Sequence, residues 1–195
     1  GLKAGEKLKE KGIVAGDEKG DLKLRQALSR TELAILLSRL NALEAEAKAY
    51  PYASTFFDEP YFPSWSRNYI AYAQYKAWFF GDNRGKFNPK NSVSGEEAAA
   101  VLLRILGYEQ QKWGENTLKL KEFCNITIKN KDAAILRGEL FTALWKALSE
   151  PVMKGGGVLM EQIELAQSSK HISPENLYKD PATTKINIDA NEYPA

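Results

Sequence analysis

The sequence predicts an all-α protein built from tandem helical repeats and followed by an irregular C-terminal tail. Three observations support this fold class. A loop containing glycine and aspartate occurs twice at a constant offset, a helix-start signal follows each loop, and apolar residues then recur at helical spacing. Stretches with the strict alternation of a strand are short and few.

The repeated loop is the clearest internal similarity. Residues 16–22 (Gly-Asp-Glu-Lys-Gly-Asp-Leu) and 81–87 (Gly-Asp-Asn-Arg-Gly-Lys-Phe) share both glycines, the aspartate and the final apolar position. A serine follows the first glycine by the same interval in each copy, at Ser29 and Ser94. Because glycine, aspartate and serine stay in register together, the two copies are read as related units.

Three tetrapeptides are predicted to open helices: Ser29-Arg30-Thr31-Glu32, Ser94-Gly95-Glu96-Glu97 and Leu136-Arg137-Gly138-Glu139. The first two match a capping box, in which serine and glutamate satisfy free backbone N–H groups at the helix start. Matched apolar columns follow each of them, which would let the three helices bury their stripes against one another. Chance similarity of amphipathic helices is the alternative, and for the third copy it is a serious competitor.

Upstream of each loop or cap lies another helix-like stretch, so each repeat is predicted to be helix, turn-rich loop and capped helix. The repeats are assigned to residues 1–150, at about 1–43, 56–107 and 108–150. Pro151 and the run Gly155-Gly156-Gly157 end the third unit. Residues 151–195 are predicted to be one amphipathic helix and a linker-like tail.

Composition excludes several function classes. Lysine plus arginine total 27 against 25 for aspartate plus glutamate, so the chain has no strong field for nucleic acid. No apolar run approaches the roughly 20 residues of a membrane span. The single cysteine, Cys124, is predicted to be a core residue, and the single histidine, His171, gives no catalytic dyad. We therefore expect no enzyme activity, no cofactor and no metal, with Asp17 and Asp82 acting as turn residues.

The residues of the second repeat resemble a known family. Phe57-Asp58, Trp65, the loop from Gly81 to Pro89 and the capped helix from Ser94 resemble one complete S-layer homology repeat. The first and third repeats resemble the same family in degenerate form. The resemblance implies a pseudo-threefold helical bundle with loop prongs, located outside the cell on a bacterial cell wall or S-layer. It also implies non-covalent anchoring to a pyruvylated secondary cell-wall polysaccharide on peptidoglycan, with self-association as a further possibility.

The resemblance also implies where the glycan would bind, namely in grooves between successive repeats. The first groove would combine Gly20 and Arg30 with Asp58 and Trp65. The second would lack its arginine because Gly95 stands there, and the third would have Arg137 but no opening segment from the first repeat. At most one groove is expected to be competent.

Arg30 at a helix start is suited to hold a carboxylate with two hydrogen bonds, beside free N–H groups, and Trp65 to stack on a sugar. The alternatives are that Arg30 pairs with a neighbouring acid and that Trp65 fills the core. On the functional reading, Arg30→Ala weakens binding without unfolding the domain.

Two other functions compete with glycan anchoring. A degenerate S-layer-homology-like module without glycan binding could serve as a structural or protein-interaction domain, and the losses at Gly95 and in the third repeat favour it. A catalytic domain is a distant third, because no facing acid–base pair is recognisable.

Overall fold

The structure, a computed structural model, describes residues 1–169, in which eight α-helices and one 3-10 helix occur and no strand is present. The all-α prediction is confirmed for this part of the chain. The helices are α1 (Leu2–Glu10), α2 (Arg30–Leu40), α3 (Glu44–Ala49), α4 (Ser64–Tyr75), α5 (Gly95–Ile105), α6 (Asn116–Cys124), α7 (Arg137–Ser149) and α8 (Leu159–Ser169), with the 3-10 helix at Glu59–Tyr61.

The chain divides into two compact units, Gly1–Ile163 and Glu164–Ala195. All the contacts described below lie within the first unit. In the second unit, the described residues form the last part of α8. The predicted linker-like tail beyond Ser169, which includes His171, lies outside the described residues.

The predicted capping boxes are present at the starts of α2 and α5. The Ser29 hydroxyl accepts a hydrogen bond from the Glu32 N–H at 3.2 Å, and the Glu32 carboxylate accepts one from the Ser29 N–H at 2.6 Å. Ser94 and Glu97 form the same pair of bonds at 3.1 and 2.9 Å. Each box satisfies two backbone donors that would otherwise face no acceptor.

The starts of α2, α5 and α7 are joined to one another in a closed cycle. In each helix the first two N–H groups donate to carbonyls of the loop that precedes another of the three helices. These bonds are Arg30 N–H to Asn91 O and Thr31 N–H to Pro89 O for α2, Gly95 N–H to Ala133 O and Glu96 N–H to Lys131 O for α5, and Arg137 N–H to Gln26 O and Gly138 N–H to Leu24 O for α7. Isolated bridges at Ala27–Leu136, Ser29–Ser92 and Ser94–Ala134 close the same cycle.

Three of the remaining helices, called the outer helices below, each pack on one of the central helices α2, α5 and α7. α4 packs on α2, α6 packs on α5, and α1 packs on α7. Each outer helix therefore covers the central helix of the preceding repeat, and α1 at the beginning of the chain covers α7 at the end of the third repeat. This pattern is what a pseudo-threefold bundle requires, although the threefold repeat arrangement and its boundaries stay predictions.

The outer helices end in matched ways. Gly12, Ala77 and Asn125 follow α1, α4 and α6 and all have left-handed backbones, with φ of 71°, 54° and 52°. Asn125 and glycine adopt this conformation at low cost, whereas Ala77 does so against its steric preference. Cys124, next to Asn125, is buried as predicted, and burial raises the pKa of its thiol.

The third repeat has no glycine loop, and the shorter chain lies directly against the start of α5. A Cβ atom on Gly95 would lie 2.2 Å from the carbonyl oxygen of Asn130 and 2.8 Å from Cγ2 of Ile128. No larger residue fits without moving the backbone of Asn130. The glycine at this position is thus required by packing.

Glu96 joins α5 to α6. This buried side chain is 3% exposed, and its carboxylate accepts hydrogen bonds from the N–H groups of Gly114, Asn116 and Thr117 and from the Asn116 side chain, at 2.7–3.3 Å. Glu96 therefore caps α6 from a different helix. Burial acts to raise the pKa of the Glu96 carboxyl, but these donated hydrogen bonds outweigh it and hold that pKa below its ordinary value.

Substitution of Gly95 tests the close packing of the third repeat. We expect Gly95→Ala to lower the free energy of unfolding by about 1–3 kcal/mol, because the added methyl collides with a backbone carbonyl. Urea denaturation measures this change. Gly157→Ala is the control: its Cβ would meet only the side chains of Gln162 and Met153, at 3.1 and 3.9 Å, which can move aside. Equal stability of Gly95→Ala and wild type would contradict the packing described.

Substitution of Glu96 tests the shared cap. The folded pKa is lowered, so the carboxylate stabilises the protein above the ordinary value of 4.5 and loses this effect as the pH falls through the folded pKa. We expect Glu96→Gln to cost about 1–3 kcal/mol near neutral pH. The difference from wild type should shrink in denaturation experiments at about pH 3. A difference that does not change with pH would rule out the ionised carboxylate as its source.

Candidate functional site

Arg30, the principal residue of the predicted site, is 8% exposed, and each of its three guanidinium nitrogens makes a contact within the protein. Its guanidinium donates from Nε to the carbonyl of Phe87 at 2.6 Å and from Nη2 to the carbonyl of Phe80 at 3.2 Å, and Nη1 forms an ion pair with Glu97. The guanidinium also lies 4.9 Å from the centre of the Phe87 ring. Arg30 thus pairs with an acid, which was the alternative to a purely ligand-binding role.

Asp58 holds the same loop from the opposite side. Its carboxylate accepts the N–H of Phe87 and the N–H of Asn88, both at 2.8 Å. Arg30 and Asp58 therefore bind the same residue: Arg30 donates to the carbonyl of Phe87, and Asp58 accepts its N–H. Both fix the glycine loop of the second repeat.

The loop that contains Gly20 contacts Arg137. Arg137, not Arg30, reaches its loop, because Arg137 Nε donates to the carbonyl of Leu22 at 3.0 Å and Nη1 pairs with Glu32 at 3.1 Å. Each arginine contacts the loop of another repeat and the capping glutamate of that repeat. The predicted grouping of Gly20 with Arg30 is accordingly replaced by Gly20 with Arg137.

One supporting argument for the first groove needs correction, and one alternative to it is excluded. The N–H groups at the start of α2 are not free for an anion, because Arg30 and Thr31 donate theirs to the carbonyls of Asn91 and Pro89 at 2.9 and 3.3 Å. Trp65 does not fill the core, since 63% of it is exposed at the start of α4. Its indole is available for stacking.

A cavity of about 720 Å³ opens beside the glycine loop of the second repeat. Arg30 and Arg104 line it together with Phe80, Asn83 and Trp113. Trp113 is 66% exposed, and it lies upstream of Asn125 by the same interval that separates Trp65 from Ala77. The cavity therefore lies where the predicted second and third repeats meet. This groove was predicted to lack its arginine because Gly95 stands at that position, and Arg30 and Arg104 line it from other positions.

Sequence reasoning missed Arg104 and Trp113. The interval from Trp113 to the left-handed residue after α6 is the signal that could have revealed the tryptophan, since it equals the interval from Trp65 to the left-handed residue after α4. Arg104 gave no signal, because it stands on the last turn of α5, where a cation commonly offsets the helix dipole. Only the fold shows that its side chain reaches the cavity.

Arg104 is only partly satisfied. Nη1 donates to the carbonyl of Trp78 at 2.8 Å, and the guanidinium lies 4.4 Å from the centre of the Phe80 ring. Nε is buried without a hydrogen-bond partner. Burial and the nearby charge of Arg30 lower the pKa of Arg104, so an anion placed between the two arginines would relieve an unfavourable arrangement.

Two acids line the cavity, and both are occupied: Glu97 pairs with Arg30, and Asp82 is bonded to its own loop. Asp82 accepts the N–H groups of Lys86 and Arg84 and the side-chain amide of Asn88, and these bonds lower the pKa of its carboxyl. Asp82 and the corresponding Asp17 thus act as turn residues. Within residues 1–169 no group of three metal-ligating side chains comes together, and no helix has the length and apolarity to cross a membrane.

Comparison with known proteins identifies the central segment. The sequence profile of the S-layer homology domain matches residues 62–99, which include Trp65, the glycine loop and the start of α5. Residues 62–99 belong to the S-layer homology domain family.

Two relatives extend the similarity along the chain. A middle cell wall protein of Brevibacillus brevis is 29% identical over 177 residues, which are 88% of this chain and 16% of that protein. A surface layer protein of Brevibacillus choshinensis is 29% identical over 163 residues, 81% of this chain and 14% of that protein. This chain thus spans about a sixth of the length of the curated relatives it matches.

Substitution of the two cross-repeat arginines tests their structural role. The sequence led to the expectation that Arg30→Ala does not unfold the domain, and the contacts of Arg30 now add an expected cost in stability. Removing Arg30 leaves the partly buried carboxylate of Glu97 without its ion-pair partner. We therefore expect the free energy of unfolding, measured by chemical denaturation, to fall by about 3 kcal/mol. Arg137→Ala is the matched comparison, and because Glu32 is more exposed it should cost only about 1–2 kcal/mol. Equal losses would show that burial of the pair does not set its contribution.

Proposed function

We propose that this chain anchors a cell-surface protein to the bacterial cell wall without a covalent bond, by binding a pyruvylated secondary cell-wall polysaccharide. The site is the cavity beside the glycine loop of the second repeat, with Arg30, Arg104 and Trp113 in its wall. Its location on the cell surface follows from the S-layer homology segment and from relatives named as cell wall and surface layer proteins. The role is binding and needs no catalytic group.

The observation that carries this proposal is an arginine without an ion-pair partner in the wall of a cavity that also presents an exposed indole. A pyruvyl ketal places a carboxylate on a sugar, so its receptor needs a fixed cation for the carboxylate and an apolar surface for the sugar. The guanidinium of Arg104 forms no ion pair within residues 1–169 and supplies the cation. Trp113 supplies the ring face, and Asn83 and Asn88 supply amide groups for hydroxyls.

The residues singled out from the sequence have two roles in this proposal. Arg30 and Asp58 position the loop that forms the wall of the cavity. Gly20, Trp65 and Arg137 would form a second, weaker groove, because the guanidinium of Arg137 is already held by Glu32 and by the carbonyl of Leu22. Trp65 is the residue of that groove that is most available to a sugar.

A second candidate function is a structural or protein-interaction module without glycan binding. Exposed aromatic side chains on the α4 side of the domain favour it, since Phe57 and Tyr61 are exposed by 75% and 86%. Under this alternative the protein would assemble on the surface through contacts with other proteins, and sacculi would not retain it.

Paired tryptophan variants test which groove binds. We expect Trp113→Ala to weaken cosedimentation with pyruvylated peptidoglycan sacculi by about tenfold, because a stacking surface is lost. Trp65→Ala removes an equally exposed indole from the other groove and should have a smaller effect. Circular dichroism checks that both variants fold.

The outcomes separate the candidates. Binding that is lost only in Trp65→Ala would move the site to the groove of Gly20 and Arg137. Wild-type protein that does not sediment, or that sediments equally with sacculi stripped of their polysaccharide, would reject glycan anchoring and favour the interaction module.

A further inference from the structure

A second cavity, of about 430 Å³, lies next to the first. Arg104, Phe80 and Gln110 line both cavities, so the two spaces are neighbours along α5. The additional wall of the second cavity includes Asn41, Lys76 and Tyr108. The groove beside α5 is therefore longer than the first cavity alone.

The second cavity has an unbalanced charge. Lys76 and Arg104 are both cationic, and no aspartate or glutamate is among the residues that line this space. Lys76 is exposed, and none of the ion pairs within residues 1–169 involves Lys76 or Arg104. An anion entering here would meet two cations and displace no internal carboxylate.

The corresponding position in the first repeat shows what a neutralised arginine looks like. Arg39 stands on the last turn of α2 as Arg104 does on α5, and it pairs with Glu44 five residues later at 3.1 Å. The acid at the same interval after Arg104 is Glu109, which instead pairs with Lys154 at 2.9 Å. Arg104 is thus left without the acid that its counterpart has.

We propose that the cavity lined by Lys76, Arg104 and Tyr108 is a second anion-binding subsite, which takes the next acidic unit of the same polysaccharide. This inference rests on the proposed function and extends it. Arg104 lies between the two subsites and contacts both units, Lys76 attracts the second carboxylate, and Tyr108 offers a partly exposed phenol to its sugar. The ligand is then a stretch of polymer with at least two acidic units, and a single terminal sugar fills only half of the site.

Calorimetric titration with pyruvylated wall-polysaccharide fragments, graded from one to three acidic units, tests this inference. We expect wild-type protein to bind the two-unit fragment about ten- to a hundredfold more tightly than the one-unit fragment, with little further gain from a third unit. Lys76→Gln should leave one-unit binding unchanged and reduce the gain from the second unit by about threefold. Arg104→Gln should weaken both fragments, since Arg104 faces both cavities.

Arg39→Gln is the matched control, because Arg39 occupies the same helix position but is neutralised by Glu44. It should retain the full gain from the second unit. If wild-type protein binds one-unit and two-unit fragments equally, or if Lys76→Gln keeps the whole gain, the second subsite is refuted while anchoring stands. If no fragment binds to wild-type protein, the proposed function fails and this inference fails with it.

Discussion

The fold depends on a contact in which an arginine at the first position of one central helix pairs with the capping glutamate of another. Arg30 reaches Glu97, and Arg137 reaches Glu32, while each arginine also donates to a carbonyl of the loop before the glutamate. Each glutamate uses its other oxygen to cap its own helix. The glutamate side chain therefore caps its own helix and also holds the arginine at the start of a neighbouring helix. This double use explains why arginine and glutamate occur close together in the repeated tetrapeptide.

The third junction shows how the same fold forms without an arginine. Gly95 stands at the first position of α5, and the backbone of Asn130 occupies the space that a side chain would need. With no guanidinium available, the carboxylate of Glu139 accepts the N–H of Lys129 at 2.7 Å. The backbone hydrogen bonds from Gly95 and Glu96 to the third repeat still close the cycle. A direct backbone contact thus replaces the ion pair.

The contacts of the arginines determine which cationic side chains remain available for the proposed ligand. Arg30 and Arg137 are largely used in holding the bundle together, whereas Arg104, at the other end of α5, forms no ion pair within residues 1–169. The difference between Arg104 and Arg39 arises from a single exchange of partners, because Glu109 pairs with Lys154 whereas Glu44 pairs with Arg39. The backbone differs at the same point, because Glu44 is the first residue of α3 whereas Glu109 lies in the loop between α5 and α6.

The sequence by itself determined the local structure: the helix starts at Ser29 and Ser94, the turn role of Asp17 and Asp82, and the burial of Cys124. These features depend on hydrogen bonds and packing preferences within a few residues, so their patterns are legible along the chain. Only the tertiary structure decided that α4 covers α2 and α1 covers α7, that Gly20 lies with Arg137, and that Trp113 and Arg104 share a cavity. Those outcomes depend on which segment supplies the acceptor for each helix start and on which acid neutralises each arginine, and such partners lie far apart in the chain.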